Sequence, residues 1–397
     1  MRPKRLILAG GGHVHLPVLA RLADFQAAGI DILCIAPGPY LAYSGMGPGL
    51  LAGRYALSEL RFPIAARLNR PGGAFVRGTV SAIDPVARHI VLQDGRVVPY
   101  DAASFGIGSR VVPDFPVTFG PGEPGATLYP VKPIENLLLA RQDILARARD
   151  GAAVRVLVAG GGAAGFEVAA GVLGLFDAIG LDRGSVAVAA PRGLLPGWPG
   201  RAVALAEASL ARRKACLIPA RMVGLCGETA HFSDGTARVC DIVLVATGTR
   251  PPGLFTACGL SAEPGGGLTV SACLQSPVHP DIFGGGDCIH FGPRPLPRAG
   301  VYAVRQGPVL AANLLAFLTG GRLTAFSDTG KNYLALLNCG DGRAILRKGP
   351  FVAEGAWVMA LKDWIDRRFM RSFPLRPQPR PPGSDTGRGH EAGFPPP

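Results

Sequence analysis

Short, largely apolar runs recur along this chain, each feeding a glycine cluster and then an Ala/Leu-rich stretch. Leu6-Ile-Leu-Ala9 leads into Gly10-Gly11-Gly12, and Val154-Arg-Val-Leu-Val-Ala159 leads into Gly160-Gly161-Gly162. Runs of this kind, apolar on both faces, are how strands of a parallel sheet read; the stretches that follow have helical spacing. The pattern predicts a strand over 6–9, a helix from about Val14 to Ala28 and a strand over 30–35. From Phe75 to Tyr100 it changes to short strands with turns at Asp84-Pro85 and Asp94-Gly95, a small antiparallel excursion, before Asp101–Ser109 returns to the sheet. A Pro/Gly-rich connector, Pro113 to Pro133, marks a boundary. A second unit runs from Val154 to Arg250, and a helix is expected over 300–318. The segment Phe326 to Phe373 shows two strand-like stretches and a helix over 354–372. From Pro374 the last 24 residues hold eight prolines and almost no aliphatic side chain, so disorder is expected there.

The fold class expected is α/β, with two Rossmann-like dinucleotide-binding domains and a C-terminal interface segment. The boundaries expected are 1–115 and 256–320 for the first domain, 116–255 for the second, 321–373 for the C-terminal segment and 374–397 for the tail. Glycines after a strand let backbone approach a pyrophosphate, and the N–H groups at a helix start face its charge. Two such fingerprints, followed by Asp281-Ile-Phe-Gly284-Gly285-Gly286-Asp287, indicate two dinucleotides, a flavin and a nicotinamide. Asp101…Gly108 and Asp241…Gly248 repeat the same spacing, so the two units read as a distant internal repeat.

With 397 residues, 48% apolar and 17% charged, the chain has room for two or three folded domains. No apolar run stands out as long enough to span a bilayer, and Met1-Arg-Pro-Lys-Arg5 passes directly into a strand, which reads as a cytoplasmic protein. The eight cysteines are scattered without Cys-x-x-Cys spacing and read as reduced thiols; no metal site is expected. The net charge of +13 comes from dispersed arginines without a recognition motif, so nucleic acid is not an expected partner. Anionic cofactors and an anionic lipid surface account for that charge as well.

Several motifs together carry a family resemblance: Gly10-Gly-Gly-His-Val-His15, Tyr43-Ser-Gly-Met-Gly-Pro-Gly49, Val131-Lys-Pro-Ile-Glu135, Arg298–Pro308 and Lys362–Met370. The chain resembles the pyridine nucleotide-disulfide oxidoreductase superfamily, in its type-II NADH dehydrogenase-like branch. It is most similar to the flavoprotein module fused N-terminally to selenophosphate synthetase (selenide, water dikinase). The resemblance implies FAD on Gly10, Gly12, His13, Val80, Gly108, Gly286, Asp287, Gly300 and Val301. It implies NADH or NADPH on Gly160, Gly162, Gly165 and Gly248, with Arg192 offered to a 2′-phosphate. Two departures stand out. His15 occupies the third-glycine position, so helix and strand must pack less closely or shift. The second strand ends Cys34-Ile35-Ala36-Pro37, without the usual acid for the adenosine ribose.

The resemblance implies hydride transfer from NAD(P)H to flavin and electrons onward to a quinone-like or other small acceptor. No cysteine lies between Cys34 and Cys216, which disfavours a disulfide relay. Glu167, Lys132 and the pair Arg305-Gln306 are the candidate catalytic residues; Arg305 stands where relatives carry a glutamine. The helix near 354–372 places Trp357, Leu361, Trp364, Ile365 and Phe369 on one face and Lys362, Arg367, Arg368 and Arg371 on the other. Such a helix suits peripheral contact with the inner face of a membrane, or packing on the domain behind it. The alternative function is a flavin-bearing redox partner or sensor docked to a separate selenophosphate synthetase.

Overall fold

The computed structural model describes residues 2–119, 125–263, 265–328 and 333–373; the proline-rich tail lies outside them. In chain order the first unit contributes β1 (Lys4–Ala9), α1 (Leu16–Ala20), α2 (Leu22–Ala27), β2 (Ile30–Ala36) and β3 (Gly73–Arg77). The excursion β4 (Val80–Asp84), β5 (His89–Leu92) and β6 (Val97–Pro99) follows, then β7 (Ala102–Phe105). The second unit holds β8 (Thr127–Pro130), α3 (Glu135–Arg149), β9 (Arg155–Ala159), α4 (Ala163–Ile179), β10 (Ser185–Ala189), α5 (Gly200–Ala211), β11 (Cys216–Ile218) and β12 (Ile242–Val245). The chain then supplies β13 (Ile282–Gly284) and α6 (Gly300–Thr319). It ends in β14 (Ala335–Asn338), β15 (Ala344–Lys348), β16 (Phe351–Gly355) and α7 (Ala356–Ser372).

Two five-stranded parallel sheets result, ordered β13-β7-β1-β2-β3 and β8-β12-β9-β10-β11. Their layouts match strand for strand, but one edge differs in origin. β8 comes ahead of its fingerprint, whereas β13 arrives after the chain has left the first unit and returned. The repeat read from the sequence has a structural cause. Asp101 accepts the Arg5 backbone N–H at 2.7 Å, and Asp241 accepts that of Arg155 at 2.6 Å. Each carboxylate thereby pins the start of its central strand. Where the chain crosses between units, Arg110 and Arg250 exchange two backbone hydrogen bonds of 2.8 Å.

The returning chain brings Phe255 edge-on to Phe105, ring centres 5.3 Å apart, both fully buried. Burying a side chain of that size contributes about 2 kcal/mol, which anchors the crossing. α4 and α6 both stop at glycines in the left-handed region, Gly180 (φ 63°) and Gly320 (φ 81°), where a Cβ is costly.

Three expectations need correction. The helix expected from Val14 to Ala28 is broken: a 3-10 turn, His13–His15, precedes α1, and Arg21 separates α1 from α2. The C-terminal segment has three antiparallel strands rather than two, because the turn near Gly349 makes Phe351–Gly355 a strand of its own. Finally, α6 is long and apolar enough to cross a membrane by length and composition, but half of that window is buried inside the fold. Asn313 on it donates to the carbonyls of Cys273 and Thr324, both at 2.8 Å, as a core helix would.

Candidate functional site

The first fingerprint opens onto a cavity of about 380 Å³ running from the end of β2 to the start of α6. Its glycines are fixed first by packing. A Cβ on Gly10 would lie 2.6 Å from the Gly106 carbonyl oxygen, and one on Gly12 2.2 Å from it. Only glycine lets the β1 turn sit on the end of β7, and that contact bares backbone to the cavity. Gly10, Gly12, His13, Val80, Gly108, Gly286, Asp287, Gly300 and Lys132 all border it. Val301 lies next to Gly300, half-buried, at the same helix start. A long cradle of bare backbone ending at a carboxylate and a helix N-terminus fits a flavin dinucleotide. At the β2 end the wall is Ala36, Pro37 and Gly38, with no carboxylate among them.

At the other end Asp287 accepts from the Lys132 ammonium at 2.7 Å and from the Ser109 hydroxyl at 2.9 Å. Lys132 reaches it from the connector leading to α3, so a cation of the second unit stands in the flavin-site wall of the first. Sequence reasoning missed Ser109, although it directly follows Gly108 of the repeat. His13 packs against Phe369 of α7 and edge-on to Tyr43, and burial lowers its pKa to about 4, with Asp287 acting in the opposite direction.

Arg305 and Gln306 lie off the cavity wall. Arg305 points out and pairs with Asp328 at 2.6 Å. Gln306 is buried, and its Oε1 accepts the Gly286 N–H at 2.7 Å, which braces the turn carrying Asp287. One helical step, about 100°, separates the two, enough to turn Arg305 outward and Gln306 into the fold.

Behind the Tyr40–Ser44 wall is a polar group that sequence reasoning only half found. Glu167, in the first turns of α4, is half-buried and accepts the Asn338 N–H at 2.8 Å. Burial raises its pKa to about 7, with Lys362 and the Asn338 N–H opposing. Lys362 donates to the Gly45 carbonyl at 2.9 Å and to Asp366 at 3.0 Å, and Tyr43 donates to Asp366 at 3.0 Å. Burial works against the Lys362 charge, but the carboxylates of Glu167 and Asp366 outweigh it and push its pKa up. Lys362 therefore does not belong to an exposed basic face as expected. α7 turns its Lys/Asp face inward and leaves Trp357 and Trp364 57% and 56% exposed. The i,i+4 spacing of Lys362 and Asp366 was the available signal.

The second fingerprint is built alike. Gly160 (φ 128°) and Gly165 are held by contact: their Cβ atoms would lie 2.3 Å from the Ala246 oxygen and 1.9 Å from the Gly160 oxygen. Gly162 and Gly248 instead face open space, as a nucleotide cradle needs. Arg192 is exposed in the loop after β10.

Residues 4–307 match the family described as pyridine nucleotide-disulphide oxidoreductase. The chain belongs to that family. Its cofactors are FAD and NAD(P)H, and the protein is a flavin-dependent NAD(P)H oxidoreductase of α/β, doubly Rossmann-like fold. Solved structures with the same fold include a sulfide:quinone oxidoreductase from Aquifex aeolicus (TM-score 0.75, 17% identity, 94% of this chain and 93% of that one). NDH2 from Plasmodium falciparum in complex with NADH is another (0.77, 14%, 94% and 100%). A third is an NAD-dependent persulfide reductase from A. fulgidus (0.70, 20%, 86% and 63%).

Proposed function

We propose that this oxidoreductase takes a hydride from NAD(P)H and passes electrons to a quinone-like or other small acceptor without a redox-active disulfide. One observation carries the reading: all eight cysteines are free, and none of the residues bordering the flavin cavity is a cysteine. The thiol next in sequence to Asp287, Cys288, is buried, and burial pushes its pKa up to about 12. It is held as a thiol rather than the thiolate that exchange chemistry needs.

When bound, FAD supplies the exchange between a two-electron donor and the acceptor. The chain supplies placement and charge. Gly10 and Gly12 bare the backbone that receives the pyrophosphate, and Lys132 and the α6 N-terminus put positive potential at the far end of the cavity. Reducing a quinone to a quinol consumes two electrons and two protons, one more proton than a hydride delivers. Glu167 is the proton-holding group for that step, since its raised pKa keeps it partly protonated near neutrality. Arg192 favours NADPH by pairing with a 2′-phosphate. The exposed tryptophans of α7, with Arg368 stacked 5.2 Å over Trp364, suit a peripheral membrane contact.

The test is the visible spectrum of the anaerobic protein during titration with NADH and then NADPH, followed by a soluble quinone. Bleaching by a nicotinamide and recolouring by the quinone are expected. Gly162→Val should abolish bleaching while FAD stays bound. A flavin that stays oxidised with both nicotinamides would replace this reading by that of a redox partner or sensor linked to selenophosphate synthetase.

A further inference from the structure

The two fingerprints differ at one matched pair of positions. His15 stands five residues after Gly10, where Gly165 stands five after Gly160. On the closing strands, Ser104 pairs with Leu8 of β1 as Leu244 pairs with Val158 of β9. The equivalent carbonyl is met in both units, by different means. At Gly165 there is room for hydrogen only, since a Cβ would lie 1.9 Å from the Gly160 oxygen. In the first unit the His15 ring Nδ1 stands 2.7 Å from the Gly10 oxygen, and Nε2 stands 2.9 Å from the Ser104 hydroxyl. A carbonyl only accepts, so Nδ1 carries the proton and donates, while Nε2 accepts from Ser104. Both side chains are fully buried. Burial lowers the imidazole pKa to about 4, so the ring is neutral around pH 7.

Making room for the ring displaces the helix. α4 starts at Ala163, two residues ahead of Gly165, whereas α1 starts at Leu16, one residue beyond His15, after the 3-10 turn. Gly10 is thereby held from both sides, its N–H donating to the Ile35 carbonyl at 2.7 Å and its own carbonyl accepting from His15.

We infer that His15 and Ser104 are a positioning pair for FAD, holding the Gly10 carbonyl and with it the glycine turn that receives the pyrophosphate. The pair does by hydrogen bonds what the third glycine of the other fingerprint does by contact. The inference rests on FAD as the family's cofactor and is independent of the acceptor.

The test strips FAD from the full chain and from His15→Leu, His15→Asn and Ser104→Ala, then re-titrates each by quenching of flavin fluorescence. Leucine fills the space but leaves the Gly10 carbonyl without its donor, and its Kd should rise about tenfold or more. Asparagine places its amide N–H donor where the ring Nδ1 stands, keeping the Gly10 bond but not reaching Ser104, and should bring the Kd back to about that of Ser104→Ala. Ser104→Ala should fall between the parent and the leucine variant. The melting temperature of each FAD-free chain is read alongside. Lower melting temperatures with unchanged Kd would mark a merely structural role and overturn the inference. So would an asparagine variant that binds as weakly as the leucine one. If the leucine variant does not fold, Ser104→Ala decides, and parental FAD affinity in it overturns the pair. A parent chain that takes up no FAD overturns it as well.

Discussion

Glu167 lies two residues beyond the third glycine of its fingerprint, in the first turns of α4, where the helix dipole favours a carboxylate. Its surroundings decide otherwise: burial outweighs the dipole, Lys362 and the Asn338 N–H, and the pKa rises to about 7. A carboxyl whose folded pKa exceeds its unfolded value contributes stability that is full below the unfolded pKa, near 4.5, and lost as pH rises through about 7. Glu167→Gln removes that dependence. Relative to the parent, the variant should gain on the order of 2 kcal/mol between pH 5 and pH 8. Thermal melts across that range check it; parallel curves for the two proteins would refute the raised pKa. Residues such as Gly10, Gly160 and Asp287 were legible because strand, turn and helix around them follow in sequence. Tyr43, Asp366 and the burial of Lys362 were not, because those contacts join residues more than 300 positions apart.

Strand starts and helix faces obey the same division. The spacing of Asp101 and Asp241 could be read directly, since each serves as a clamp on a neighbouring strand. The two clamps differ in depth. Asp241 is buried and also bonds the Arg155 guanidinium, whereas Asp101 pairs with Arg2, which is 73% exposed. Asp241→Ala should cost about 2 kcal/mol, and Asp101→Ala less, in urea unfolding monitored by circular dichroism. Equal midpoints would mean that the clamp adds nothing beyond surface charge. On α7 the aromatic and basic positions were found, but Lys362 turns inward while Trp357 and Trp364 turn outward; Phe369 packs inside, against His13 and Phe62. Periodicity names the faces of a helix without saying which one the protein covers. Here the chain supplies polar partners: Tyr55 donates to Asp363 at 2.7 Å and Arg367 to Glu59 at 2.9 Å, so part of the charged side is held against the first unit, while Arg368 and Arg371 stay exposed.

Across the whole molecule, the C-terminal segment joins both units. Its Gly340 turn abuts α4, where a Cβ on Gly174 would lie 2.2 Å from the Gly340 oxygen, while α7 bonds the Tyr43–Glu59 stretch of the first unit. That arrangement could not be read from the chain, and nor could β8, a four-residue edge strand inside a Pro/Gly-rich connector. Trp357→Ser/Trp364→Ser should reduce co-sedimentation with anionic vesicles by about tenfold while leaving NADH bleaching of the flavin unchanged. Equal sedimentation would remove the membrane contact from the proposal. α7 carries Lys362 on its inner side and Trp364 two residues later on its outer side. An anionic surface on the outer side would act through the same helix on the charge that faces Glu167. By thermodynamic reciprocity, an anionic surface that favours one protonation state of Glu167 must itself be held more tightly when that state is populated. Attachment and proton uptake would then be two readings of one equilibrium, with a single helix as its lever.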